Sequence, residues 1–175
     1  MNIKIALVAG AMALGVAGCM TPMASAPAPM AVTTAAVFVP TAVSSNLLEI
    51  ESSRMALQRA RSPEVRRFAR QMIRDHNLAT RRMAAVLRRS DLPVPPPAMI
   101  PHHQQMVASL QTATDFDAAY IGAQVMAHQE AVALFSSYAS NGDVPPLVAF
   151  ARQTLPTLQM HLQHAQGIAG GGHTM

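Results

Sequence analysis

Three histidines, His76, His128 and His161, carry most of the chemistry this sequence offers. Each falls within the apolar arc of a segment with helical periodicity and near its middle, His161 about 6 Å past the midpoint at 1.5 Å per residue. Helices of similar length packed side by side bring such levels together. An earlier helical segment carries Glu49 and Glu51, which lie about 200° apart on a helix, so only one of them faces inward. The arc of Val43, Leu47, Leu48, Ile50 and Met55 selects Glu51. One carboxylate and three imidazoles enclosed by a bundle suit Zn, Mn, Fe or Cu. The same groups can also satisfy one another by hydrogen bonds with no ion between them. Burying four polar groups is expensive unless they share a purpose, which keeps the metal reading beside the structural one.

Around this set, Asp75 and Asp117 sit at the rims of their arcs, placed to orient ligands from outside or to pair with arginines. His164 and Glu130 face outward, and His102 and His103 lie at a loop edge. Met20, Met23 and Met30 are thioethers able to take Cu(I), but they sit in a tether-like stretch.

Four helical stretches must position the set. The first runs roughly over 41–60. The second starts with Ser62 as N-cap, Pro63 at the first helical position and Glu64 in the first turn. Its apolar arc holds Val65, Phe68, Ala69, Met72, Ile73, Met83, Val86 and Leu87, and Arg66, Arg67, Arg70, Arg74, Arg81 and Arg88 occupy the opposite arc. The third spans about 115–139 and the fourth about 145–169, with Pro156 placed to bow the last helix rather than break it. Asn141, Gly142 and Asp143 form the turn and cap between the last two. Asp91 to Pro101 holds five prolines. Eleven residues of polyproline II cover about 34 Å, enough to return along a bundle before a short helix near 103–112. One long crossover between two helical hairpins is the ferritin-like form of a four-helix bundle, so the expected fold is all-α. Phe68-Ala69-Arg70-Gln71 recurs as Phe150-Ala151-Arg152-Gln153, a weak internal repeat in agreement.

The flanks say where such a bundle works. Lys4, the apolar run Ile5 to Leu14 and the lipobox-like Val16-Ala17-Gly18-Cys19 form a lipoprotein signal peptide over 1–18, with Cys19 the lipidated first residue of the mature chain. Residues 19–37 read as a flexible tether, 38–169 as the bundle domain and 170–175 as a disordered tail. Met20 lacks the Asp that signals inner-membrane retention in enteric bacteria, so in a Gram-negative cell the expected location is the periplasmic face of the outer membrane.

Cys19 is the only cysteine among 175 residues, so no disulfide is expected and packing must supply stability. Eleven arginines lie between Arg54 and Arg89 against Glu64 and Asp75 alone, a local charge of +9. That field suits an anionic envelope surface, and equally a solvated helix face. Nucleic acid is excluded as a partner by the export signal.

Arg74-Asp75-His76 after Phe68-Ala69, Phe116-Asp117 with Tyr120 and His128, and Leu155-Pro156 before His161-Leu162, with Glu49-Ile50-Glu51 upstream, form a pattern. It resembles the bacterial family known as domain of unknown function 4142 over about 38–168. The resemblance implies a ferritin-like fold and an envelope location, and no activity. The chain lacks the Glu-x-x-His pairs of dinuclear ferritins on its second and fourth segments, which speaks against oxidase or iron-storage chemistry. A lipid-anchored, non-enzymatic structural or binding module is the first reading. A metal-binding or metal-dependent ferritin-like protein built on Glu51, His76, His128 and His161 is the alternative.

Overall fold

The protein is described from a computed structural model covering residues 34–171; Cys19, most of the tether and residues 172–175 lie outside the described residues. Five helices follow in order: α1 (Ala35–Arg59), α2 (Pro63–Arg89), α3 (Pro101–Thr112), α4 (Phe116–Asn141) and α5 (Pro145–Ala169). None of them is long and apolar enough to cross a membrane. α1 begins before the expected start, taking in residues 35–37 that composition assigned to the tether. Asp143 accounts for this: its Oδ1 accepts the Ala35 N–H at 2.8 Å and the Tyr138 hydroxyl at 2.9 Å. The aspartate expected to cap α5 therefore secures the start of α1, and Val144 stands at the α5 N-cap without a side-chain bond. Gly142 is required in that turn, because a Cβ there would meet the Tyr138 carbonyl oxygen at 2.6 Å and the Tyr138 ring at 2.7 Å.

Ser62 caps α2 as its sequence position predicts, its Oγ accepting from the N–H groups of Glu64 and Val65. The α1–α2 corner is held from across the bundle, where the Asp117 carboxylate accepts the N–H of Arg61 at 3.1 Å and of Ser62 at 2.7 Å. Pro156 faces solvent and α5 stays continuous through it.

α1 pairs with α2 and α4 with α5, each as an antiparallel hairpin, and the hairpins stack with α1 against α4 and α2 against α5. Phe38 near the start of α1 stacks on Tyr138 near the end of α4, while Phe68 near the start of α2 meets His164 near the end of α5. Neighbouring helices thus run antiparallel, and the crossover must return the length of the bundle. The proline stretch and α3 share that distance. Beyond the Ser90 C-cap of α2, Asp91 takes a φ of 54°, and the Leu92 N–H bonds back to the Leu87 carbonyl. The chain then reaches the flank of α1, where the Ile100 N–H donates to Ser44 Oγ at 2.9 Å. α3 completes the return beside α1 and α4, and the Arg59 guanidinium donates to the carbonyls of Leu110, Gln111 and Ala113 at its far end.

The interior is divided by level. One apolar cluster, around Phe38, Met83, Leu87, Phe135, Tyr138 and Phe150, fills one end. A second, around Ala56, Phe68, Met72, Phe116, Tyr120 and Ala165, fills the other. The Phe-Ala pairs of the internal repeat are divided between them. Between the clusters lies a layer of buried polar side chains from all four long helices: Asn46, Glu49, Ser52, His76, Gln124, His128 and His161.

Candidate metal centre

His76, His128 and His161 come from α2, α4 and α5 and are 3%, 1% and 1% exposed. Their ring centroids are 5.4, 5.5 and 5.7 Å apart, and each ring offers one nitrogen lying within 4.8 Å of the other two. Binding at about 2.0–2.1 Å from a tetrahedral ion needs such atoms roughly 3.3 Å apart, so the rings are one small inward shift from ligating distance.

What the other ring nitrogens do decides the tautomer of each neutral ring. His76 Nδ1 lies 2.8 Å from Asn46 Oδ1, His128 Nδ1 lies 2.9 Å from the Gln124 carbonyl oxygen, and His161 Nε2 lies 2.9 Å from Asp75 Oδ2. All three partners are acceptors, so each ring must donate there. That leaves His76 Nε2, His128 Nε2 and His161 Nδ1 as lone pairs, and these are the three ring nitrogens that are buried without a hydrogen-bond partner. Burial holds His76 well below the usual histidine pKa, helped by repulsion from His128 and His161. Burial, with repulsion from His128, also lowers His161 to about 4 against the pull of Asp75. Both rings are therefore neutral near pH 7, the state a metal ligand requires.

α1 contributes Glu49, not Glu51. Glu51 is exposed, whereas Glu49 is 1% exposed, its Oε1 lies 3.5 Å from His128 Nδ1, and neither of its oxygens has a hydrogen-bond partner. Burial raises the Glu49 pKa, against the opposing pull of His128. The expectation failed because the apolar residues from Val43 to Met55 do not mark the inward arc of α1. That arc reads Ala42, Ser45, Asn46, Glu49, Ser52, Ser53 and Ala56 at helical spacing, small and polar residues that let neighbouring helices approach. Leu47 turns instead toward the crossover and α3, lining a groove with Glu51, Pro97, Met99 and Val107. Asn46, Gln124 and Ser52 were not anticipated as part of the polar layer; Gln124 Nε2 donates to Ser52 Oγ at 3.1 Å.

The two expected orienting carboxylates separate. Asp75 sits on His161, as described. Asp117 is eleven residues before His128, about 16 Å along α4, and caps the α1–α2 corner. His103 is also displaced from its expected loop edge: it is buried in the first turn of α3, with Nδ1 on Ser44 Oγ and Nε2 3.6 Å from Glu130. His102 and Glu130 remain exposed and bond each other at 3.0 Å, while His164 faces outward beside Phe68.

The family described as Domain of unknown function (DUF4142) matches residues 20–168. The chain belongs to this family. No curated protein matches it. Among solved structures it is similar to CopM in the Cu(II)-bound form, at 23% identity and TM-score 0.69, over 82% of this chain and 100% of that one. CopM in the apo form gives 24% identity and TM-score 0.65, over 79% and 98%. A DUF305 fragment from Deinococcus radiodurans gives 22% and 0.65, over 77% and 93%. These likenesses place this DUF4142 chain in the same helical-bundle fold.

Proposed function

We propose that this DUF4142 protein binds one transition-metal ion, with copper the first candidate, between His76, His128 and His161. The observation that carries the reading is the convergence of three buried imidazoles, each with one nitrogen within 4.8 Å of the others, in a layer where three ring nitrogens have no hydrogen-bond partner. Unsatisfied lone pairs in a low-dielectric core are costly, and none of these three nitrogens has a hydrogen-bond partner. A cation bound between the rings offsets that cost by ligation. Outer partners of the kind found here, an amide oxygen, a backbone carbonyl and a carboxylate, are those that fix ligand tautomers at metal sites. Imidazole suits Cu and Zn alike, and the similar bundle of CopM is named in Cu(I)-, Cu(II)- and Ag-bound forms, which puts copper first.

Binding fits better than catalysis. Side chains only 1–3% exposed leave no route for a substrate to reach the ion without opening the bundle, so storage, sensing or delivery is the favoured role. In this reading Cys19 carries the lipid that holds the bundle to the envelope. Cys19→Ala should leave the protein unlipidated, and fatty-acid label entering that variant would contradict the anchor.

Elemental analysis of untagged protein prepared without chelator tests the metal. One equivalent per chain is expected, none in His128→Ala, and an unchanged metal content in that variant would place the ion elsewhere. The outer partners make a finer prediction. Asp75→Ala frees His161 Nε2, and metal affinity should fall 10- to 100-fold by titration, with a smaller effect on the metal-free fold because the Asp75 side chain is 32% exposed.

A further inference from the structure

One end of the bundle combines features that the metal site does not use. α1 starts there, α2 ends there, and the crossover leaves from it. Val37 and Val94 are 58% and 45% exposed at this end, beside an open apolar groove of about 370 Å³ lined by Val39, Pro40, Leu87, Leu92 and Pro93. The last two and a half turns of α2 present Arg81, Arg82, Arg88 and Arg89, all exposed and with no side-chain hydrogen bond or ion pair among the described residues. Two acids share the end. Asp143 is committed to the Ala35 N–H and the Tyr138 hydroxyl, and Asp91 follows the helix by one turn residue. Residues 1–33 join the bundle here, through Thr34.

We infer that this end docks on an anionic lipid surface, with the arginines at the headgroups and Val37, Val94 and Leu92 entering the interface. Apolar side chains rimmed by unpaired cations fit a bilayer surface, where each half of the pattern meets its complement. The place where the chain enters favours a membrane over a protein partner. Fourteen residues lie between Cys19 and Thr34 and reach at most about 54 Å, so an anchored chain is tethered to the bilayer from this end. The charge and apolar pattern stand without the lipid and extend the functional reading rather than repeat it.

The orientation is end-on, which separates it from a helix lying flat on its arginine stripe. Arg67, Arg70 and Arg74 continue the same exposed face about 10 to 20 Å beyond Arg81, and about 22 to 33 Å from Arg89, and should contribute far less at the surface. The test uses residues 20–175, which include every described helix and core residue and leave out Cys19. Sedimentation with phosphatidylglycerol-containing vesicles at low salt should show binding that is absent with phosphatidylcholine alone. Changing Arg81, Arg82, Arg88 and Arg89 to Gln should weaken it about 100-fold. Val37→Asp with Val94→Asp should weaken it about tenfold, and Arg67, Arg70 and Arg74 to Gln should change it by less than about threefold. All are exposed positions, and circular dichroism confirms folding of each variant. Equal binding to both vesicle types, no binding by the unaltered chain, or a loss carried by the Arg67, Arg70 and Arg74 set would overturn the inference.

Discussion

Saturating copper should raise the melting temperature of this protein by on the order of 10 °C, and chelator should return it to the starting value. An ion held by side chains from α2, α4 and α5 binds only the assembled bundle, because unfolding carries the three imidazoles apart. At free metal about 1,000 times the dissociation constant the gain is about 4 kcal/mol. For a chain of this size each kcal/mol moves the midpoint by a few degrees. The variants identify the ligands. His128→Ala or His161→Ala should abolish the shift, while Glu51→Ala, which alters an exposed residue, should keep it. His76→Ala should also lower the metal-free stability by about 1–3 kcal/mol by stranding buried Asn46 Oδ1. A melting temperature indifferent to copper, zinc and chelator would contradict a metal in the layer.

Acidification should destabilise the metal-free bundle. Burial lowers the pKa of His76 well below the usual value and that of His161 to about 4, whereas both titrate near 6.5 in the unfolded chain. Below pH 6.5 the unfolded state therefore binds more protons than the folded one. Stability is complete above about 6.5 and is lost as the pH falls toward about 4, by a few kcal/mol in total. Glu49 works in the opposite sense. Its raised folded pKa favours the folded state at low pH, and that contribution is lost as the pH rises from the ordinary 4.5 through the folded value, so it blunts the acid loss. Urea melts between pH 7.5 and 4.5 should show the midpoint falling with pH, and the slope should shrink in His161→Gln. A midpoint that rises on acidification would contradict neutral buried imidazoles. Metal affinity should weaken over the same interval, because protons compete for the same lone pairs.

The bundle and the histidines were legible for one reason: in α2, α4 and α5 the apolar residues recur at helical spacing, and His76, His128 and His161 interrupt that spacing at matched levels. α1 was misread because its packing follows a different rule. Surrounded by α2, α3 and α4, it buries large residues on its flank and small polar ones on its inner face, so the largest side chains pointed to Glu51 while the serines at 45, 52 and 53 marked the way to Glu49. The partners of the histidines were harder still. Asn46 and Gln124 reveal themselves only when helix rotations are known, and the Gln124 group that matters is its backbone carbonyl, which no side-chain pattern reports. Asp117 and Asp143 show the same limit, since both secure chain segments more than fifty residues away.

X-ray absorption at the metal edge of the copper-loaded protein tests the central claim most directly. The account predicts first-sphere scattering from nitrogen at about 2.0 Å with the outer-sphere pattern of about three imidazole rings, lost in His128→Ala. A first sphere dominated by thioether sulfur at about 2.3 Å, or an imidazole count unchanged by that substitution, would put the ion outside the polar layer and contradict it.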